Sequence, residues 1–136
     1  MNTLAPILLD GNWEVEYFEV EPNLYEWGPA IQPVPSLMAW HCEGRFDEGW
    51  AACLQTRFDL APFDFCIRYD LHVEDAPGMI ILYINGRRMG EVAPGAPFVF
   101  DVTDWVTLED NRLTLRVTCG AAGKFGRVYL QPHPCE

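Results

Sequence analysis

The chain has 136 residues, of which 49% are hydrophobic and 13% aromatic, enough to bury the core of one domain without disulfides or metal ions. Nine Lys and Arg residues oppose twenty Asp and Glu residues, so the net charge is −11. Nucleic acids and anionic membranes bind proteins through basic patches, so we expect neither as a partner. Residues 1–48 contain nine of the acids and one base. This excess predicts a solvated acidic face, with a docking face for a basic partner or a cation as the alternatives.

The N-terminal ten residues contain no basic stretch, and no apolar run is long enough to cross a bilayer. We therefore expect a cytoplasmic protein with reduced thiols. The cysteines form no CxxC pair, so we expect no zinc site; they are Cys42, Cys53, Cys66, Cys119 and Cys135.

The first third of the chain contains one clear strand. Trp13, Val15 and Tyr17 alternate with acidic residues, so Trp13–Val20 reads as the opening strand. Residues 21–49 contain several prolines and glycines and are predicted to be long ordered loops. A second strand is predicted at Trp50–Phe58.

The remaining residues alternate more clearly. Apolar residues occupy every second position of Phe65–Val73, with Phe65 placed on the inward face, and the Leu113 strand alternates in the same way. Asn85-Gly86 tolerates the positive φ angles of a type I′ turn and predicts a tight hairpin. Its arms are Met79–Ile84 and Arg87–Val92, and further strands are expected at Phe98–Val102, at 113–119 and at Arg127–Gln131.

These seven or eight short strands predict an all-β antiparallel β-sandwich, because a single sheet of this length could not bury both of its faces. We expect one domain over residues 1–136, with its core within 11–131 and a frayed tail at 132–136.

Three motifs resemble one known family. Their order and spacing are similar to the N-terminal sugar-binding domain of family 2 glycoside hydrolases, the group of β-galactosidases and β-glucuronidases. The matching segments are Tyr83-x-Asn85-Gly86-x-x-x-Gly90, Pro97-Phe98-x-Phe100-Asp101-Val102-Thr103 and Asn111-x-Leu113-x-Leu115-x-Val117. Weaker matches are Gly11-x-Trp13, Val34-Pro35 and Trp40.

The resemblance implies a galactose-binding-like jelly roll, here standing alone. In that family the two catalytic glutamates belong to a separate (β/α)8 barrel, which needs about 250 residues. The resemblance therefore does not carry hydrolysis over to this chain. Asp101 and Thr103 are short polar residues at a strand end, where we expect them to bond to the backbone.

The residues themselves offer little for catalysis. Adjacent acids such as Asp47-Glu48 point to opposite faces of a strand, whereas a glycosidase needs two carboxylates at a fixed separation. His41 is next to Cys42 in sequence, which is not the spatial pairing that activates a nucleophile. We predict no enzymatic activity, no cofactor and no metal.

Sugar binding is the leading functional hypothesis, because aromatic rings stack on sugar C–H faces while polar groups meet the hydroxyls. The candidate ligand-binding residues lie in or near the predicted loops and are Tyr25, Trp27, Trp40, His41, Glu43, Arg45 and Trp50. Each of these tryptophans could instead fill an end of the sandwich. The alternative function is an assembly subunit that uses the fold for contacts with a protein partner or with its own copies, as a homo-oligomer.

Overall fold

The computed structural model describes residues 4–21, 24–27, 32–40, 50–93, 95–118 and 124–135. The described part of the chain contains two short 3-10 helices, Leu37–Ala39 and Thr103–Trp105. Its strands are β1 (Ile7–Leu8), β2 (Trp13–Glu21), β3 (Leu24–Trp27), β4 (Gln32–Val34), β5 (Trp50–Phe58), β6 (Ile67–Val73), β7 (Ile80–Ile84), β8 (Arg87–Val92), β9 (Phe98–Asp101), β10 (Asn111–Thr118) and β11 (Val128–Pro134).

The strands form two antiparallel sheets, which confirms the predicted all-β sandwich. One sheet has four strands in the order β1-β11-β6-β9. The other has seven, in the order β3-β2-β5-β10-β7-β8, with β4 also paired to β2. Chain neighbours are often not sheet neighbours, as expected for a jelly-roll type of sandwich.

The core lies between the inner faces of the two sheets. Leu54, Leu82 and Leu115 from the seven-stranded sheet, and Leu71 and Leu130 from the other, have no exposed surface. Burying a leucine side chain of this kind contributes roughly 1.5–3 kcal/mol. The alternation predicted for β6 and β10 is therefore the pattern that builds this core.

The predicted hairpin is confirmed in its turn geometry. Asn85 and Gly86 have φ angles of 50° and 84°, and β7 pairs directly with β8 on either side of them. Both residues lie in the left-handed region that a type I′ turn requires, where a residue with a branched side chain would be strained.

The prediction of loops throughout residues 21–49 is wrong in part. β3 and β4 both pair with β2, and a 3-10 turn follows at Leu37–Ala39. Pro33 is tolerated because β4 lies off the main strand order of the sheet, where a missing N–H costs little. The short strand β1 was not predicted either.

The C-terminal tail is not frayed as far as Cys135. β11 continues to Pro134, and Pro132 and Pro134 pair with Tyr69 and Ile67 of β6. The paired positions of β1 end at Leu130, so this half of β11 has a single neighbouring strand and can accept residues without an N–H.

The predicted position of Phe65 is also wrong. It was expected on the inward face of a strand, but β6 begins at Ile67 and the Phe65 side chain is exposed. It makes an edge-to-face contact with the ring of Phe63, at 5.3 Å between centroids. The inward alternation therefore begins two residues later than the sequence indicated.

A disulfide joins Cys66 to Cys135, contrary to the expectation of reduced thiols. The two residues lie just beyond the ends of β6 and β11, with their Cα atoms 5.4 Å apart, and the Cys135 N–H donates to the Cys66 carbonyl. Adjacent strands thus bring together two cysteines that are 69 positions apart in sequence. Cys53 is a free, partly buried thiol.

Candidate functional site

Three of the predicted ligand-binding residues lie on strands that meet at one corner of the seven-stranded sheet. Trp27 pairs with Phe18 and Tyr25 with Val20, both across β3 and β2. Trp50 pairs with Glu19 from the other side of β2. Their backbone positions therefore flank the same part of β2. Because neighbouring positions of a strand face opposite sides of the sheet, Tyr25 and Trp27 fall on one face and Trp50, which is opposite Glu19, falls on the other. The three positions therefore do not form one cluster, and ligand binding by these residues stays a prediction.

Trp40 belongs to the core. Its side chain is only 8% exposed, and its ring lies 5.9 Å from that of Phe125. The backbone N–H of Trp40 donates to Leu37 and closes the 3-10 turn. This environment favours a packing role for the indole, which is the alternative considered for each tryptophan from the sequence.

The other predicted site residues lie outside the described part of the chain. They are His41, Glu43 and Arg45.

An aromatic row crosses the outer face of the four-stranded sheet. The strand register places Leu8, Tyr129, His72 and Val99 side by side on β1, β11, β6 and β9. The rings of His72 and Tyr129 stack in parallel, 4.6 Å apart at 4°. Leu8 is 61% exposed and Val99 55%. The sequence did not predict this row, because the four residues become neighbours only through the pairing of their strands, which the sequence does not show.

Polar side chains border the aromatic row on one side. Asp70 pairs in register with Asp101, and Arg68 Nε donates to Asp101 Oδ2 at 2.7 Å. His133 Nε2 lies 3.2 Å from Asp70 Oδ2 but forms no hydrogen bond with the described residues.

Asp101 is held by structural bonds. Its Oδ1 accepts from the backbone N–H and the hydroxyl of Thr103, and the Thr103 oxygen accepts from the Tyr69 N–H. Partial burial raises the pKa of Asp101, but the hydrogen bonds from Arg68 and Thr103 outweigh it and lower the pKa to about 2. The structural role predicted for Asp101 and Thr103 is confirmed.

A bidentate ion pair borders the row on the other side. Arg127 Nε and an Nη donate to the two carboxylate oxygens of Glu74 at 2.9 and 2.8 Å. The guanidinium also lies 5.3 Å from the centre of the Tyr129 ring, within cation–π range. The hydrogen bonds from Arg127 lower the pKa of Glu74. The Tyr129 ring therefore contacts both the His72 ring and the Arg127 guanidinium.

The described residues show little that could carry covalent chemistry. They contain no group of three or more His, Cys, Asp or Glu side chains placed to hold a metal ion. Burial raises the pKa of the Cys53 thiol, which disfavours the reactive thiolate. No helix within the described ranges is long and apolar enough to span a membrane.

Solved structures with this fold include large glycoside hydrolases. An FMN-binding β-glucuronidase from Faecalibacterium prausnitzii L2-6 matches 98% of this chain with 23% of its own, at a TM-score of 0.71 and 20% identity. A Bacteroides uniformis β-glucuronidase matches 96% with 18% of its own, at 0.66 and 16% identity. A glycosyl hydrolase family 2 member from Bacteroides cellulosilyticus matches 96% with 21% of its own, at 0.64 and 11% identity.

The chain thus spans about a fifth of the length of these structures, and its likeness to them is one of fold. The galactose-binding-like sandwich that the resemblance implied agrees with this likeness. No family model matches the chain, and no curated protein matches it in sequence.

Proposed function

We propose that the chain is a non-catalytic carbohydrate-binding module. The observation that carries the proposal is the asymmetry of the structural matches: nearly all of this chain corresponds to about a fifth of enzymes named as glycosidases. A fold that occurs as one part of a sugar-processing protein supports a role in holding sugar. Galactosides and glucuronides are the first ligands to test, since the matched structures include β-glucuronidases.

The state of the described carboxylates supports the absence of catalysis. A glycosidase needs a general acid with a raised pKa beside a second carboxylate. The pKa shifts resolved for Glu74, Asp75 and Asp101 are all downward. Asp101 faces Asp70 across the sheet but is held ionised by Arg68. Incubation with nitrophenyl galactoside and glucuronide should therefore release no nitrophenol above a buffer blank.

Binding is tested by calorimetry or a glycan array against galactosides, glucuronides and their polymers. We expect Trp27→Ala to weaken binding while the circular dichroism spectrum and the melting temperature stay close to those of the parent. Trp40→Ala serves as the contrasting variant: truncating a buried tryptophan costs roughly 3–5 kcal/mol, so stability should fall. Absence of binding to all sugars at millimolar concentration would refute the proposal.

The second candidate is an assembly subunit, which the exposed ends of the aromatic row favour. Leu8 and Val99 are large apolar residues that lie on a sheet face and are more than half exposed. Such surfaces are common in protein contacts. Light scattering of the parent and of Val99→Lys distinguishes this candidate: an oligomer that dissociates in the variant supports it, and a monomeric parent rules out self-association.

The redox state of the Cys66–Cys135 pair in cells indicates the compartment in which the protein resides. A cytoplasmic location, expected from the sequence, predicts that the pair is reduced in cells, because cytosolic thiols are kept reduced. Trapping of free thiols in freshly lysed source cells, followed by peptide mapping, tests this. A pair protected from alkylation would place the chain in an oxidising compartment instead.

A further inference from the structure

The Cys66–Cys135 disulfide lies where a small thiol can reach one of its two cysteines. Cys66 precedes β6 and is exposed, whereas Cys135 follows β11 and is partly buried. Disulfides that serve a purely structural role resist reduction by glutathione, whereas exposed disulfides are reduced more readily. The exposed position of Cys66 therefore favours exchange of this bond with thiols in solution.

The segment after Gln131, residues 132–135, has few other bonds to the described part of the chain; we call it the tail segment. The paired positions of β1 end ahead of Gln131, so among the described strands only β6 neighbours the tail segment. Pro132 and Pro134 have no N–H to donate. The Gln131 side chain bonds to the Leu4 carbonyl, so the chain is anchored just before the tail segment begins.

The register with β6 shows which backbone groups can hold the tail segment. Tyr69 lies opposite Pro132, and its N–H and carbonyl bond to groups on the other side of β6. Backbone bonds alternate along an antiparallel pair, so His133 and Cys135 are the positions placed to bond to β6. The Cys135 N–H donates to the Cys66 carbonyl, the same residue to which Cys135 is cross-linked. The disulfide is therefore the main tie between the tail segment and β6.

We propose that Cys66–Cys135 is a thiol–disulfide exchange site, and that its reduction by a small thiol such as glutathione releases the tail segment from β6. A glutathione thiolate attacks the Sγ of Cys66, a new sulfur–sulfur bond forms there, and Cys135 leaves as a thiolate. A second glutathione thiolate then attacks the sulfur of the first, forming glutathione disulfide and freeing Cys66. The protons of the two glutathione thiols end on the two cysteines. The inference does not rest on the proposed function.

Release of the tail segment uncovers apolar surface. Pro132 is buried and lies directly opposite Tyr69, which is also buried, so the two side chains share one face of the sheet. Phe63 and Phe65 are exposed in the segment that leads to Cys66. Once Pro132 leaves, Tyr69 adds to the apolar surface that these rings already present. The reduced chain should therefore bind more of a hydrophobic dye than the oxidised chain does.

The test follows amide hydrogen exchange of the full chain by NMR, before and after equilibration with reduced glutathione. The amides of His133 and Cys135 should exchange about tenfold or more faster in the reduced chain. Tyr129, which pairs with His72 earlier on the same two strands, should keep its protection. Unchanged exchange at His133 and Cys135 would show that the tail segment stays in place, and an equal loss of protection at Tyr129 would show general unfolding. Either result would overturn the proposal.

Trapping and variants assign the response to this pair. Acid quenching during reduction, followed by peptide mapping, should find the glutathione adduct on Cys66. The combined variant Cys66→Ser/Cys135→Ser should show fast exchange at His133 without any thiol, and glutathione should not change it further. Cys53→Ser is the matched control, because it retains the disulfide and should respond as the parent does. A parent that stays oxidised in excess glutathione, or an adduct found on Cys135, would refute the assignment of the exchange site.

Discussion

Removal of the disulfide is expected to destabilise the fold substantially. The bond joins Cys66 to Cys135 across 69 positions of sequence. In the chain-entropy model, closing a loop of that length in the unfolded chain is worth about 4 kcal/mol. A domain of this size loses roughly 3–4 °C of melting temperature per kcal/mol, so the combined variant Cys66→Ser/Cys135→Ser should melt about 12–15 °C below the parent.

The measurement is a thermal melt followed by circular dichroism, with urea unfolding as the second readout. Cys53→Ser is the matched control, because Cys53 is a partly buried free thiol and its serine variant leaves the disulfide in place. Substituting both bonded cysteines, rather than adding a reductant, confines the change to this pair. A double variant that melts with the control would refute the reasoning, as would alkylation of Cys66 and Cys135 in the folded parent.

Two further predictions concern polar residues. Asn111 has no exposed surface, and its side-chain amide forms hydrogen bonds with the backbone of Thr107 and with the Phe58 carbonyl. Asn111→Ala should therefore lower the free energy of unfolding, measured in urea, by about 2–3 kcal/mol. The control Thr114→Ala, on the outer face of β10, should change it by about 0.5 kcal/mol or less. The pKa of Asp101 is lowered from 3.8 to about 2 in the folded chain, so its contribution to stability is present above pH 4 and lost as the pH falls towards 2. The variant Asp101→Asn should therefore be less stable than the parent at pH 7 and lose less stability between pH 4 and pH 2. A variant whose stability falls with pH as steeply as that of the parent would contradict this.

The parts of the fold that the sequence predicted are those with a local signal. Alternation in Ile67–Val73 marks a strand whose every second side chain is in the core, and Asn85-Gly86 defines a turn by the φ angles that it tolerates. Neither inference needs to know which strands are neighbours. The structure therefore has both elements at or close to their predicted bounds.

The missed features depend on contacts between distant residues. β3 and β4 are short and carry no clear alternation, so only their pairing with β2 makes them strands. The tail is held because β6 offers partners to Pro132 and Pro134. The Cys66–Cys135 bond could not be chosen from five cysteines by spacing. The aromatic row on the four-stranded sheet is likewise a product of register.

The motifs that resemble family 2 glycoside hydrolases carry information about fold more than about ligands. Asn85, Asp101, Thr103 and Asn111 are the most distinctive polar residues of those motifs, and each bonds to the backbone of a neighbouring turn or strand. Their side chains stabilise the sandwich whatever the protein binds. Retaining them is therefore compatible with a chain that has no glycosidase activity.

Ligand preference should instead come from exposed side chains that the fold does not require. Arg112 meets this condition, because its guanidinium is exposed while only its backbone N–H joins the Asn85 network. Replacing Arg112 should therefore leave the melting temperature close to that of the parent, whereas replacing Asn85 should lower it. Thermal melts of the two variants distinguish an exposed side chain from one that holds the two turns together. If Arg112→Ala lowers stability as much as Asn85→Ala, the guanidinium belongs to the structural network and the distinction between the two residues is wrong.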